Sequence, residues 1–172
     1  MKRMLLLFLL CPATLLMAQH LDPIQEAIAN YDYETALSLI AQKKATTPLL
    51  LQKGKALRSL GLNMEALSTY QEIIANDSTN TRAMIEAAEC CCTLAKYKQA
   101  SAYYERVLDL TPENKYVRIQ YIGLLLSQQR FRDALGESSI MTEKDSSAIA
   151  LHLQAQSFEG MNELLPAAGC YY

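Results

Sequence analysis

The stretch Ala95-Lys96-Tyr97-Lys98-Gln99-Ala100-Ser101 is one of five versions of a single phrase. The others are Tyr31-Asp32-Tyr33-Glu34-Thr35-Ala36-Leu37, Gly61-Leu62-Asn63-Met64-Glu65-Ala66-Leu67, Gln129-Arg130-Phe131-Arg132-Asp133-Ala134-Leu135 and Glu163-Leu164-Leu165-Pro166-Ala167-Ala168-Gly169. Ala66, Ala100, Ala134 and Ala168 are each 34 residues apart, and Ala36 precedes the first of them by 30. Three residues before each alanine stand Tyr33, Asn63, Tyr97, Phe131 and Leu165, large in four of the five; four residues after stand Ile40, Tyr70, Tyr104, Ser138 and Tyr172. These offsets put each set on one helical face. A small residue opening the second helix of a pair lets it approach the first closely, with large side chains one turn away on either side. Each unit is therefore expected to be a helical hairpin, and such hairpins bury their apolar faces only by stacking.

These residues resemble the tetratricopeptide repeat, a 34-residue helical hairpin. The resemblance covers roughly residues 20 to 172. Gly54 and Ala88 match the family's small residue in the first helix, and Pro48 and Pro112 are read as its repeat-closing proline. Ile122 and Gln156 depart from the small position, and Ser78 and Ser146 from the proline. The aromatic column early in the first helix holds Leu50, Met84, Arg118 and His152, and Ile122-Gly123 reads as displaced by one residue. What the resemblance implies is an all-α solenoid, a right-handed superhelix of helix-turn-helix units in which the first helices line a concave groove. The expected units are 19–46, 47–80, 81–114, 115–148 and an incomplete 149–172.

Caps and breakers place the helices. Asp22-Pro23 reads as an N-cap with proline in the first turn, starting a helix to about Asn30, and Thr47-Pro48 and Thr111-Pro112 read the same way. Asn76-Asp77-Ser78 and Lys144-Asp145-Ser146 read as polar turns between helices of 10 to 15 residues. A full fifth unit starting near Ile149 would run to 182, so the uncharged end at Ala168, Cys170, Tyr171 and Tyr172 suggests either a fragment of a longer array, the favoured reading, or a subunit covering that end.

Lys2 and Arg3 precede an apolar run from Met4 to Met17, followed by Ala18 and the polar pair Gln19 and His20. This is the layout of a secretory signal, residues 1–18, cleaved near Ala18, with an uncleaved N-terminal anchor as the alternative. Cleavage would leave 14 basic and 18 acidic side chains, a net charge of −4, and no second long apolar run to span a membrane. A periplasmic or secreted location follows. The mild charge gives no footprint for nucleic acid.

Cys90-Cys91-Cys92 invites a metal or redox reading, but neighbours on a helix point about 100° apart and cannot converge on one ion. Packing is the better account, with Cys91 in the core column of Leu57 and Leu125; a bridge to Cys170 or between neighbours is not expected. His20 and His152 are the two histidines, and no phosphate loop, nucleophile elbow or zinc helix motif accompanies them, so no catalytic site, metal or cofactor is expected.

Mapped onto the family's groove, the inward side carries Leu51, Lys55 and Arg58, then Arg82, Ile85 and Glu89, then Tyr116 and Ile119. Basic side chains beside an apolar floor suit a protein or peptide partner with some acidic character. The resulting expectation is a non-catalytic interaction scaffold or assembly adaptor. The alternative is the N-terminal repeat part of a larger cell-envelope structural protein.

Overall fold

The computed structural model describes residues 22–171. The export signal read in residues 1–18, and Tyr172 of the ring column, lie outside them. The described chain folds into helices α1 (Pro23–Ala29), α2 (Tyr33–Ala41), α3 (Thr47–Ser59), α4 (Asn63–Asn76), α5 (Thr81–Thr93), α6 (Tyr97–Leu110), α7 (Lys115–Ser127), α8 (Phe131–Lys144), α9 (Ala148–Gly160) and α10 (Leu164–Gly169). Each helix packs on its neighbours in the chain, and α7 also packs on α9, so five hairpins stack into an all-α solenoid.

All five hairpin turns use one backbone device. The residue two before each second helix has a left-handed conformation: Tyr31, Gly61, Ala95, Gln129 and Asn162, with φ between 56° and 77°. The next residue's N–H then reaches back to a carbonyl five residues earlier, as in Leu62 to Leu57 (2.9 Å), Lys96 to Cys91 (2.8 Å) and Glu163 to Phe158 (2.9 Å). This closure satisfies carbonyls that the end of the first helix leaves unpaired. Only Gly61 adopts the conformation without a β-carbon penalty.

Behind each turn the repeating alanine is sealed in: Ala36, Ala66, Ala100 and Ala134 are fully buried. The small residue of the first helix faces the ring of the second. A β-carbon on Gly54 would sit 2.5 Å from the Tyr70 ring. Sixteen residues separate Gly54 from Tyr70, and the same step joins Ala88 to Tyr104 and Ile122 to Ser138. All six are buried, so large and small exchange places in the fourth hairpin and the filled volume is kept. Ile122 thus holds the register, and Gly123, with nothing near its absent β-carbon, plays no packing part.

The fifth hairpin departs from the expected register by one residue. Its left-handed turn residue follows Gln129 by 33 positions instead of 34, α9 begins at Ala148 instead of Ile149, and Ala167, not Ala168, is buried. The shift moves Ala155, fully buried, into the small position assigned to Gln156, and Leu164 into the column assigned to Leu165.

Helix starts are corrected at two prolines. Thr111 is the C-cap of α6, its hydroxyl donating to the Val107 carbonyl at 2.8 Å, and α7 starts instead from Asn114, whose side chain accepts from the Val117 N–H. Thr46, not Thr47, caps α3, and Pro48 lies in that helix's first turn, so it opens a unit and does not close one. Asp22 caps α1 as read, its side chain accepting from the Ile24 N–H. The central helices α3 to α9 have 13 or 14 residues, while α1, α2 and α10 have 7, 9 and 6.

Candidate partner-binding groove

The first helices of successive hairpins stand side by side and leave three joined concavities. One of about 420 Å³ lies between α1 and α3 and is lined by Ile28, Leu51, Lys55 and Arg82. The next, about 510 Å³, shares Lys55 and Arg82 and adds Arg58, Asn63 and Glu86. The third, about 630 Å³, shares Arg58 and is lined by Glu89, Tyr97, Tyr104, Tyr116, Ile119 and Leu124 among others. Shared residues make them one groove, polar and cationic at one end and aromatic at the other.

Seven of the eight groove residues read from sequence line this surface: Leu51, Lys55, Arg58, Arg82, Glu89, Tyr116 and Ile119. Ile85 is half-buried and packs against the core instead. Glu86, Tyr97, Tyr104, Gln120 and Leu124 were not read, although Glu86 and Gln120 stand one helical turn after Arg82 and Tyr116 and were within reach of the same spacing rule.

Arg58 is held from inside the molecule. It pairs with Glu86, and its second guanidinium nitrogen lies 2.7 Å from Glu89. The other Glu89 oxygen accepts the Tyr116 hydroxyl at 2.9 Å, which raises the Tyr116 phenol above its ordinary range. Burial alone would depress the Arg58 guanidinium, but Glu89 and Glu86 outweigh it and keep the charge fixed. One cation with two carboxylates leaves this cluster at −1, and it ties α3, α5 and α7 together across the groove floor. Lys55 and Arg82 are exposed and make no ion pair among the described residues. They are the groove cations open to an incoming carboxylate.

The cysteines behave as packing. Cys90 and Cys91 are fully buried, and Cys91 shares its column with buried Leu57 and Leu125. Burial pushes the Cys90 thiol up from 9.0 to about 11 and raises Cys91 and Cys92 as well. The described cysteines are unbridged, and no cluster of three His, Cys, Asp or Glu among the described residues could hold a metal ion. His152 is exposed, its ring 6.1 Å from that of Tyr171. No helix among the described residues is long and apolar enough to cross a membrane.

Stacked hairpins, alanine-centred packing and a groove lined by first helices define a tetratricopeptide-repeat-like solenoid. Solved structures share this fold. MamA superposes with a TM-score of 0.78 at 15% identity, over 88% of this chain and 92% of that one. A second MamA structure does so with 0.72 at 20% identity, over 86% and 90%. A tetratricopeptide repeat protein from Parabacteroides merdae superposes with 0.78 at 17% identity, over 87% of this chain and 61% of that one. No protein-family model and no curated protein matches the sequence.

Proposed function

We propose that this chain is an exported tetratricopeptide-repeat protein that acts as a scaffold or assembly adaptor, holding a peptide or protein partner in its concave groove without catalysis. The observation that carries the reading is the continuous groove itself, with Lys55 and Arg82 exposed at one end and Tyr97, Tyr104, Tyr116 and Ile119 at the other. An extended peptide or a helix could meet both a charged and an apolar wall there. Export rests on Lys2, Arg3, the apolar run from Met4 to Met17 and the small Ala18, with residues 1–18 as the leader and 19–172 as the repeat domain. A second reading, in which the array belongs to a larger envelope assembly and the last hairpin packs on further protein, is favoured by the exposure of Leu164, Leu165 and Tyr171.

Peptides selected by display on the immobilised protein test the groove. Bound peptides should shift the amide resonances of α3, α5 and α7 and be weakened by Lys55→Glu with Arg82→Glu. Binders that perturb only α4, α6 or α8 would place the functional surface elsewhere. Arg58 is unsuited to such a test, because removing it leaves Glu86 and Glu89 unpaired and disturbs the floor.

A further inference from the structure

The two edges of the solenoid differ in character. The four turns between hairpins read Gln42-Lys43-Lys44-Ala45-Thr46, Asp77-Ser78-Thr79-Asn80, Thr111-Pro112-Glu113-Asn114 and Asp145-Ser146-Ser147, without one Leu, Ile, Val, Met, Phe or Tyr. Four of the five turns inside hairpins, 30–32, 60–62, 94–96 and 161–163, each carry at least one residue of these types, and the fourth, Gln128-Gln129-Arg130, carries none. Seven of the twelve large apolar residues left exposed among those described, Tyr31, Leu60, Leu62, Met64, Tyr97, Leu164 and Leu165, lie in these turns or in the first turn of the helix that follows, against Leu110, Tyr116 and Ile149 beside the turns between hairpins. Neighbouring turns touch: the Lys96 ammonium rests 3.4 Å from the Met64 sulfur, and Met161 closes a cavity with Gln129 to Asp133. An edge carrying exposed apolar residues in this way marks an interaction surface.

Charge along this edge identifies what fits it. Equivalent six-residue windows, each opening at the first helix's C-cap, are 30–35, 60–65, 94–99, 128–133 and 161–166. Their net charges are −2, −1, +2, +1 and −1 in chain order, −1 together. An edge without net positive charge has no attraction for an anionic lipid surface. It is instead complementary to itself. A second copy set antiparallel, with the twofold axis between the second and third turns, places −2 against +1 and −1 against +2. Axes through the third turn, or between the third and fourth, set like charges together. The favoured axis also brings Leu60, Leu62, Met64 and Tyr97, 37% to 54% exposed, to the centre of the contact, where apolar anchors contribute most.

We infer that the hairpin-turn edge is the interface of an antiparallel homodimer, with apolar contact at turns two and three and charge pairing between Glu34 and Glu65 on one copy and Lys98 and Arg132 on the other. Tyr97 and Asn63 border both this edge and the groove, whereas Lys55 and Arg82 lie outside the edge, so the cationic end of the groove stays open in both copies and the dimer is bivalent for whatever the groove holds. The inference does not depend on what that is.

Sedimentation of the purified chain from micromolar to sub-millimolar concentration tests it. The chain should associate to a dimer, and Met64→Glu with Tyr97→Glu should weaken association by about tenfold or more while the helical spectrum is unchanged. Lys98→Glu with Arg132→Glu, and separately Glu34→Lys with Glu65→Lys, should each weaken self-association, whereas mixing the two variants should restore a heterodimer. That rescue cannot arise from misfolding. A wild-type chain that stays monomeric, a dimer indifferent to these substitutions, or variants that fail to pair when mixed would each overturn the inference. So would a monomer that binds phosphatidylglycerol vesicles through Met64 and Tyr97.

Discussion

Gly54 has no room for a β-carbon, because the Tyr70 ring already occupies the space at 2.5 Å. Gly54→Ala should therefore destabilise the chain by about 1–3 kcal/mol, the usual cost of overfilling a packed site, read as a lower urea midpoint with an unchanged slope. At the turns the sign depends on backbone conformation. Gly61→Ala should cost about 1 kcal/mol and Ala95→Gly should gain up to about that much, since both residues are left-handed and only glycine is unstrained there. Equal and opposite shifts in midpoint would support this; no shift at either turn would refute it. Burial raises Cys90 from 9.0 to about 11 and also raises the phenols of Tyr70, Tyr104 and Tyr121. The native state thus favours their neutral forms. That stability is complete below pH 9, where the unfolded thiol begins to ionise, and is lost as pH rises toward about 11. A urea midpoint that stays level through this range would contradict the burial of these groups. The alanine columns were legible in the sequence because Ala66, Ala100 and Ala134 repeat a strict spacing, whereas Ala168, which extends that spacing, is exposed and Ala167 takes its place. The exchange of Ile122 with Ser138 was not, because each looks like a lone departure until α7 and α8 are seen face to face.

Hairpin four carries a charged side chain in a core column. Arg118 stands where Leu50 and Met84 stand in earlier hairpins and is 7% exposed, paired with Glu137 on α8 and donating to the Pro112 carbonyl at 2.9 Å. Removing Glu137 strands a buried cation, so Glu137→Gln should destabilise by about 1–3 kcal/mol. Arg118→Met with Glu137→Leu, which restores the apolar pattern, should recover most of that loss. A double variant no better than the single one would show that the Pro112 contact, not the ion pair, matters. At this scale the sequence misled in a physical way. Thr-Pro can open a helix, but Thr111 instead closes α6 through its back-bonded hydroxyl, and Asn114, the register partner of Asn80, starts α7. In the fifth hairpin one residue fewer between turns moved every column. Two adjacent alanines, Ala167 and Ala168, gave no means to choose between registers.

As a whole the molecule is a one-dimensional stack, so its stability should grade along the array instead of failing all at once. Amide exchange should be slowest in α4, α5 and α6, which are packed on both sides, and fastest in the end helices α1 and α10, which have 7 and 6 residues and pack chiefly on α2 and α9. Uniform protection from end to end would mean the hairpins fold as a single unit. The groove follows from this stacking, since each first helix contributes only a few residues and the surface exists only when three stand together. Its position followed from mapping the helical columns onto the groove of the family that the sequence resembles. Its electrostatics were not, because Arg58 counts as a binding cation in sequence but is taken up by Glu86 and Glu89 from the next hairpin. The most direct test of the groove as the working surface is site-specific photo-crosslinking in the native cell, with the reactive group at Ile119 in the groove and, separately, at Arg106, exposed on α6. A groove scaffold predicts a discrete protein adduct from Ile119 and none from Arg106; adducts from Arg106 alone would contradict it.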